Sequence, residues 1–326
     1  MRLFGEKEAM CMKKFLSVGE MVIDFLPGTE EASYIRKAGG APANVAIAIA
    51  RQGLRAAFCG MMGNDDFGHF LMDTLLENKV EVCNTKLCDE AITTMAFVTL
   101  DANNDRSFTF ARKPGADMFL TREHIDRAGI EDAVIVHAGS CSLSKDPAAD
   151  ATRYALKMAH DQGVLVSFDV NYRNLMWNDD QDAAAKAVFE ILPYVDFLKI
   201  SDEEADMVGG EENLPALMEK YGISLLIETL GGKGAKFYFN GKETFVPSIP
   251  SECVDTCGAG DAFWGSFIAT LLKAGVQKTS DLSEALLTEA MKRGNIGGAL
   301  CVRKKGAIES IPTAEETEKF FKECFQ

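Results

Sequence analysis

The sequence predicts an α/β protein, with a mostly parallel sheet covered on both faces by helices and a small second group of strands set apart from it. Three observations carry this expectation. Apolar runs of strand length alternate with segments of helical period along most of the chain. Such alternation implies a parallel sheet with helices on its two faces. No internal repeat or low-complexity linker divides the 326 residues, which favours one continuous unit over the two that length alone would allow.

The elements follow in order. Residues 15–18 and 21–25 read as strands, and 42–52 as a helix of small residues ended by Gly53. Residues 56–61 form a short strand, and 67–78 a helix with Phe67, Phe70, Leu71 and Leu75 on one face. Later strands are expected at 134–137, 164–169, 197–200 and 225–229, each next to a helical stretch. Residues 34–38, 93–100 and 107–111 instead alternate like antiparallel strands, and 101–105 supplies turn residues between the last two. Inserted into an α/β chain, these strands are expected to form a small separate sheet covering a site.

Composition narrows the functions. Lys and Arg number 34 against 49 Asp and Glu, a net charge of −15. A field of that sign repels phosphate backbones and argues against nucleic acid as a partner. Any phosphate site must then be built from local donors. Nine cysteines, an odd number with no Cys-x-x-Cys spacing, read neither as a disulfide framework nor as a zinc site. No apolar run approaches the ~20 residues of a membrane-spanning helix, so no membrane partner is expected and a cytoplasmic location is. Residues 1–11 carry charges in place of a signal peptide's apolar centre, and they read as a leader or start-site extension ahead of residues 12–326.

The strongest chemical signal is Asp255-Thr256-Cys257-Gly258-Ala259-Gly260-Asp261-Ala262-Phe263. Phe263, Phe267, Ile268, Leu271 and Leu272 recur behind it at helical spacing, so Gly258–Gly260 opens a helix. Glycines let successive amides converge, and a helix start adds partial positive charge, which together make an anion site. A carboxylate beside that site, Asp261, can take a proton from an incoming hydroxyl. Taken alone, the string is also compatible with a glycine turn whose aspartate caps the helix. A second string, Gly39-Gly40-Ala41-Pro42-Ala43-Asn44, pairs close backbone approach with a bifunctional amide suited to hydroxyl-rich ligands.

The two strings resemble, in order and placement, the signatures of the ribokinase-like (PfkB) carbohydrate kinases, and the fructokinase branch in particular. The resemblance runs from Phe15 to Pro312. It implies a three-layer α/β/α sandwich with a β-strand lid drawn from about 20–38 and 91–112. It further implies Asp261 as catalytic base and an anion hole at Gly258, Ala259 and Gly260. The sugar would be held by Asp24, Gly39, Gly40, Asn44, Arg112, Asn171 and Arg173. Lys199, Ser201, Thr229, Gly231, Gly232, Gly234 and Asn295 would face the nucleotide. Ser201 stands where the family has an asparagine, while Glu204 keeps the acid tied to the metal, acting through water. ATP, Mg2+ and a monovalent cation such as K+ are the implied cofactors, and a homodimer through the lid the implied assembly.

What the sequence lacks also discriminates. There is no P-loop string, no protein-kinase motif, no nucleophile elbow, and no Gly-x-Gly-x-x-Gly after the first strand. His69, His124, His137 and His160 show no metal spacing, and His137 reads as a core residue. The expected activity is ATP-dependent phosphorylation of a sugar hydroxyl, fructose to fructose 6-phosphate. The alternatives are kinases of the same family for 2-keto-3-deoxygluconate, ribose or a nucleoside, or a non-catalytic sugar- or nucleotide-binding protein.

Overall fold

The computed structural model describes residues 13–30, 32–100 and 106–325. The expected leader at 1–11 and the turn at 101–105 lie outside them. In chain order the elements begin β1 (Lys14–Val18), β2 (Val22–Pro27), β3 (Tyr34–Gly39), α1 (Ala41–Arg51), β4 (Ala56–Cys59), α2 (Asp66–Glu77), β5 (Val80–Val82), β6 (Met95–Leu100) and β7 (Arg106–Ala111). They continue with α3 (Arg122–Asp126), β8 (Ala133–Gly139), α4 (Ala148–Asp161), β9 (Leu165–Asp169), α5 (Gln181–Ile191), β10 (Phe197–Ser201) and α6 (Leu214–Tyr221). The last are β11 (Leu225–Thr229), β12 (Gly234–Phe239), β13 (Lys242–Pro247), α7 (Ala259–Lys273), α8 (Glu284–Cys301) and α9 (Ala314–Phe325).

Among the described residues the main sheet has nine strands in the order β13-β12-β11-β10-β9-β8-β1-β4-β5. It is parallel from β11 to β5, and β12 and β13 extend it as an antiparallel hairpin. Side chains on β1 alternate between two cores, as the strand period requires. Leu16 and Val18 join one core with Ile125, Leu156, Val188 and Leu214 from α3 to α6. Phe15 joins the other with Ile47, Leu71, Phe267 and Leu287 from α1, α2, α7 and α8. The expected three layers are therefore present. No described helix is long and apolar enough to cross a membrane.

Some buried polar groups pair across the layers. Trp264 of α7 donates its indole N–H to Ser167 Oγ at 3.0 Å, and Ser167 also meets His137 Nδ1 at 2.9 Å. Burial pushes His137 down to about 4, so the ring is neutral in the core.

The second sheet runs β3-β2-β6-β7. Its hairpins β2–β3 and β6–β7 are antiparallel, as expected, but they meet through a parallel pair, β2 with β6. Both hairpins offer their first strand to the junction, and the two run in the same direction there. Phe25 stacks on Phe97 at 4.9 Å and meets Phe67 edge-on at 5.6 Å, so α2 seats this sheet. Asp65, the N-cap of α2, also accepts from the Thr93 amide and hydroxyl just ahead of β6.

Candidate active site

The parallel strands of the main sheet end on one edge, where α/β folds place their ligands. The turns after β1, β8, β9 and β10 and the first turn of α7 enclose a cavity of about 620 Å³ there. Asp24, Gly40, Asn44, Asn171, Arg173, Lys199, Gly258, Gly260 and Asp261 line it. A second cavity, about 480 Å³, lies between β11, the exit of β13, α7 and α8. Thr229, Gly231, Gly232, Gly234, Ala259, Gly260 and Asn295 line that one. The two share only Thr256 and Gly260 among their described lining residues.

Gly258 sits at φ +75°, in the left-handed region, and a side chain there would stand 2.8 Å from Ala307. It turns the chain so that α7 starts with its amides toward the junction of the cavities. The first amides of a helix lack intrahelical acceptors. The Ala259 amide is partly used, since it donates to the Thr256 carbonyl at 3.2 Å. Gly260 and Asp261 supply the next two.

Asp261 is buried, and Asn44 Nδ2 donates to its Oδ2 at 2.7 Å. Burial pushes its carboxyl above the usual range, while the Asn44 bond and the charges of Lys199 and Arg173 pull it back. Asn44 Oδ1 is buried without a partner, leaving an amide acceptor unused. Gly40, at φ +109°, caps α1, and a side chain there would meet the Glu20 carbonyl at 2.6 Å. Asp24 is half-buried, and burial pushes it up to about 7 against the pull of Arg173.

A buried pair completes the wall. Lys199 Nζ donates to Asp169 Oδ2 at 2.7 Å, and Asp169 Oδ1 has no partner. Burial opposes charge on Lys199, but Asp169 and Glu204 outweigh it and hold the ammonium protonated.

Several expected residues stand elsewhere. Arg112 does not line either cavity; its guanidinium is bonded to Asp117 at 2.7 and 2.9 Å and to Ser144 at 3.0 Å. Gly39 packs against the Asp24 carboxylate, behind the wall. Ser201 gives its amide to Glu204 Oε2 at 2.8 Å, and the Tyr172 amide donates to Glu204 Oε1 at 2.6 Å. Glu204 therefore braces two turns, and its neighbour Glu203 lines the cavity instead. Asn295 lines the second cavity but spends its amide on the Val246 and Pro247 carbonyls, at 3.1 and 3.0 Å. Glu20, Cys141, Phe110 and Thr256 line the first cavity without having been singled out. Thr256 lies inside the Asp255–Phe263 string, so motif membership was the signal available for it.

The sequence model of the family described as "pfkB family carbohydrate kinase" matches residues 12–314. Fructokinase-2 of Oryza sativa subsp. japonica is 39% identical over 309 residues, covering 91% of this chain and 90% of that protein. The crystal structure of fructokinase with bound ATP from Xylella fastidiosa superposes with a TM-score of 0.89 at 30% identity, covering 97% of this chain and 100% of that one. A fructokinase double mutant from Vibrio cholerae O395, in its fructose, ADP and potassium ion bound form, gives 0.84 at 32% identity over 95% and 98% of the two chains.

Proposed function

The chain belongs to the pfkB family of carbohydrate kinases, and on that premise we propose that it transfers the γ-phosphoryl group of ATP to the 6-hydroxyl of fructose. One observation carries the proposal: two cavities meet at the first turn of α7, and Asp261 lines the one that also holds Asp24, Asn44 and Arg173. The acceptor sugar occupies the first cavity, held by Asp24, Asn44 and Arg173. The nucleotide occupies the second, against the glycine turn after β11. Asp261 takes the proton of the attacking hydroxyl, and the Gly260 and Asp261 amides stabilise charge on the transferring group. Lys199 adds positive charge at the same junction. The small sheet covers the sugar and excludes water, which would otherwise compete as acceptor.

Mg2+ fits this arrangement as a partner of the nucleotide. It usually takes one or two carboxylates plus phosphates and water. Among the described residues no three His, Cys, Asp or Glu form a cage, while Asp169 keeps an unpartnered buried oxygen and Glu203 lines the acceptor cavity. Glu203, the one of these acids on a cavity wall, would hold it, and when bound it neutralises phosphate charge. The potassium-bound Vibrio cholerae structure supports a monovalent cation as activator; ADP formation should then rise when K+ replaces an inert large cation.

A coupled ADP-release assay over fructose, 2-keto-3-deoxygluconate, ribose and adenosine tests the reading. The expected result is the highest kcat/KM with fructose, and a 6-phosphate product by 31P NMR. A preference for any of the others would reassign the substrate.

A further inference from the structure

Glu20 lies in the turn between β1 and β2, where its carbonyl abuts Gly40. Its side chain is only 3% exposed, yet it lines the acceptor cavity. Oε2 has no hydrogen-bond partner. The Arg112 guanidinium, whose charge acts on Glu20, is committed to Asp117 and Ser144. Buried carboxyl groups are normally paired, so an open oxygen on a cavity wall is a place kept for a ligand. From this we propose that Glu20 is a sugar-contacting residue, hydrogen-bonding an acceptor hydroxyl other than the one phosphorylated and so helping to set which sugar is accepted. The inference deepens the sugar-kinase reading and rests on it.

The surroundings select the form in which Glu20 acts. Burial pushes the carboxyl up to about 8; the charges of Asp117 and Asp261 push the same way, and its own backbone amide and Arg112 push against it. Near neutral pH it is therefore a neutral acid with one O–H to donate, a donor among acceptors such as Asp24 and Asn44 Oδ1. Ionisation removes the donor and adds a negative charge beside Asp261 and Asp117, so sugar binding weakens as pH rises.

The experiment is steady-state kinetics on wild type, Glu20→Gln and Glu20→Ala from pH 6 to 9.5, with the sugar panel described above. For wild type, kcat/KM for the preferred sugar should fall above about pH 8. Glu20→Gln, which still donates and cannot ionise, should lose that falling limb and keep KM within about threefold. Glu20→Ala should raise the sugar KM tenfold or more with kcat within threefold, and should flatten the ranking of sugars. An unchanged falling limb in Glu20→Gln, or an unchanged sugar KM and ranking in Glu20→Ala, overturns the proposal. Should Glu20→Ala not fold, the isosteric Gln variant decides alone through its pH profile. A wild type that prefers another sugar would overturn the fructose assignment instead, and Glu20 is then tested with that sugar.

Discussion

As the proposed base, Asp261 must lose a proton before it can accept one, and its burial resists the loss. The Asn44 hydrogen bond works the other way, favouring the carboxylate. Removing it in Asn44→Ala should move the rising limb of the kcat/KM profile to higher pH. Asp261→Asn should lower kcat by roughly 10²–10⁴ while isothermal titration still detects sugar binding, because a general base contributes about that much. Glu20 carries a stability consequence whose sign is fixed by linkage. The folded protein keeps its proton up to about pH 8, whereas the unfolded chain loses it near 4.5, so stability falls as pH rises between those values. Glu20→Gln escapes that loss. By urea denaturation it should match wild type near pH 4 and exceed it near pH 8.5 by a few kcal/mol, at ~1.4 kcal/mol per pH unit as an upper bound. Asp261 and Asn44 were legible because each sits in a glycine-marked string. The fates of Arg112 and Glu204 were not: what binds them is a carboxylate five residues on and two backbone amides, and no sequence pattern reports loop paths.

At the level of elements, the strands of the parallel half of the sheet followed from hydrophobic runs, apart from the three-residue edge strand β5, since strands buried on both faces read as continuous apolar stretches. The β12–β13 hairpin was missed for the converse reason. It carries Lys236, Lys242 and Glu243 at the sheet edge, and Lys236 pairs with Glu211 and approaches Glu228 and Glu243. That mixed face hides its alternation. The hairpin matters to the site through Asn295, which pins its exit. Asn295→Leu would free the 248–251 segment that walls the second cavity, and by the usual worth of two hydrogen bonds should raise the ATP KM about tenfold with the sugar KM unchanged. The seam between α7 and α8 is equally strict: a side chain at Gly297 would strike Ser266 and, at 2.6 Å, the Ala262 carbonyl. Gly297→Val should cost about 1–3 kcal/mol and lower Tm accordingly.

Across the whole molecule, the −15 charge and the phosphate ligand of the proposed reaction are compatible because the donors are local. A helix start, one buried lysine and a partnering cation act over a few ångströms, whereas the global field is screened beyond about 10 Å in ordinary salt. The small sheet leaves Tyr34 and Ile35 on edge strand β3 46% and 45% exposed, and exposed edges tend to pair. We expect a homodimer through this sheet, with light scattering giving twice the 35.5 kDa chain mass and Ile35→Asp returning the monomer. The narrow overlap of the two cavities has its own consequence. The residues lining the proposed acceptor cavity and those lining the proposed nucleotide cavity form almost disjoint sets, meeting at one threonine and one glycine. Acceptor preference can therefore drift by substitution around the first cavity while the nucleotide half stays untouched, which makes the scaffold modular: one phosphoryl-delivery unit, with an exchangeable mould in front of it.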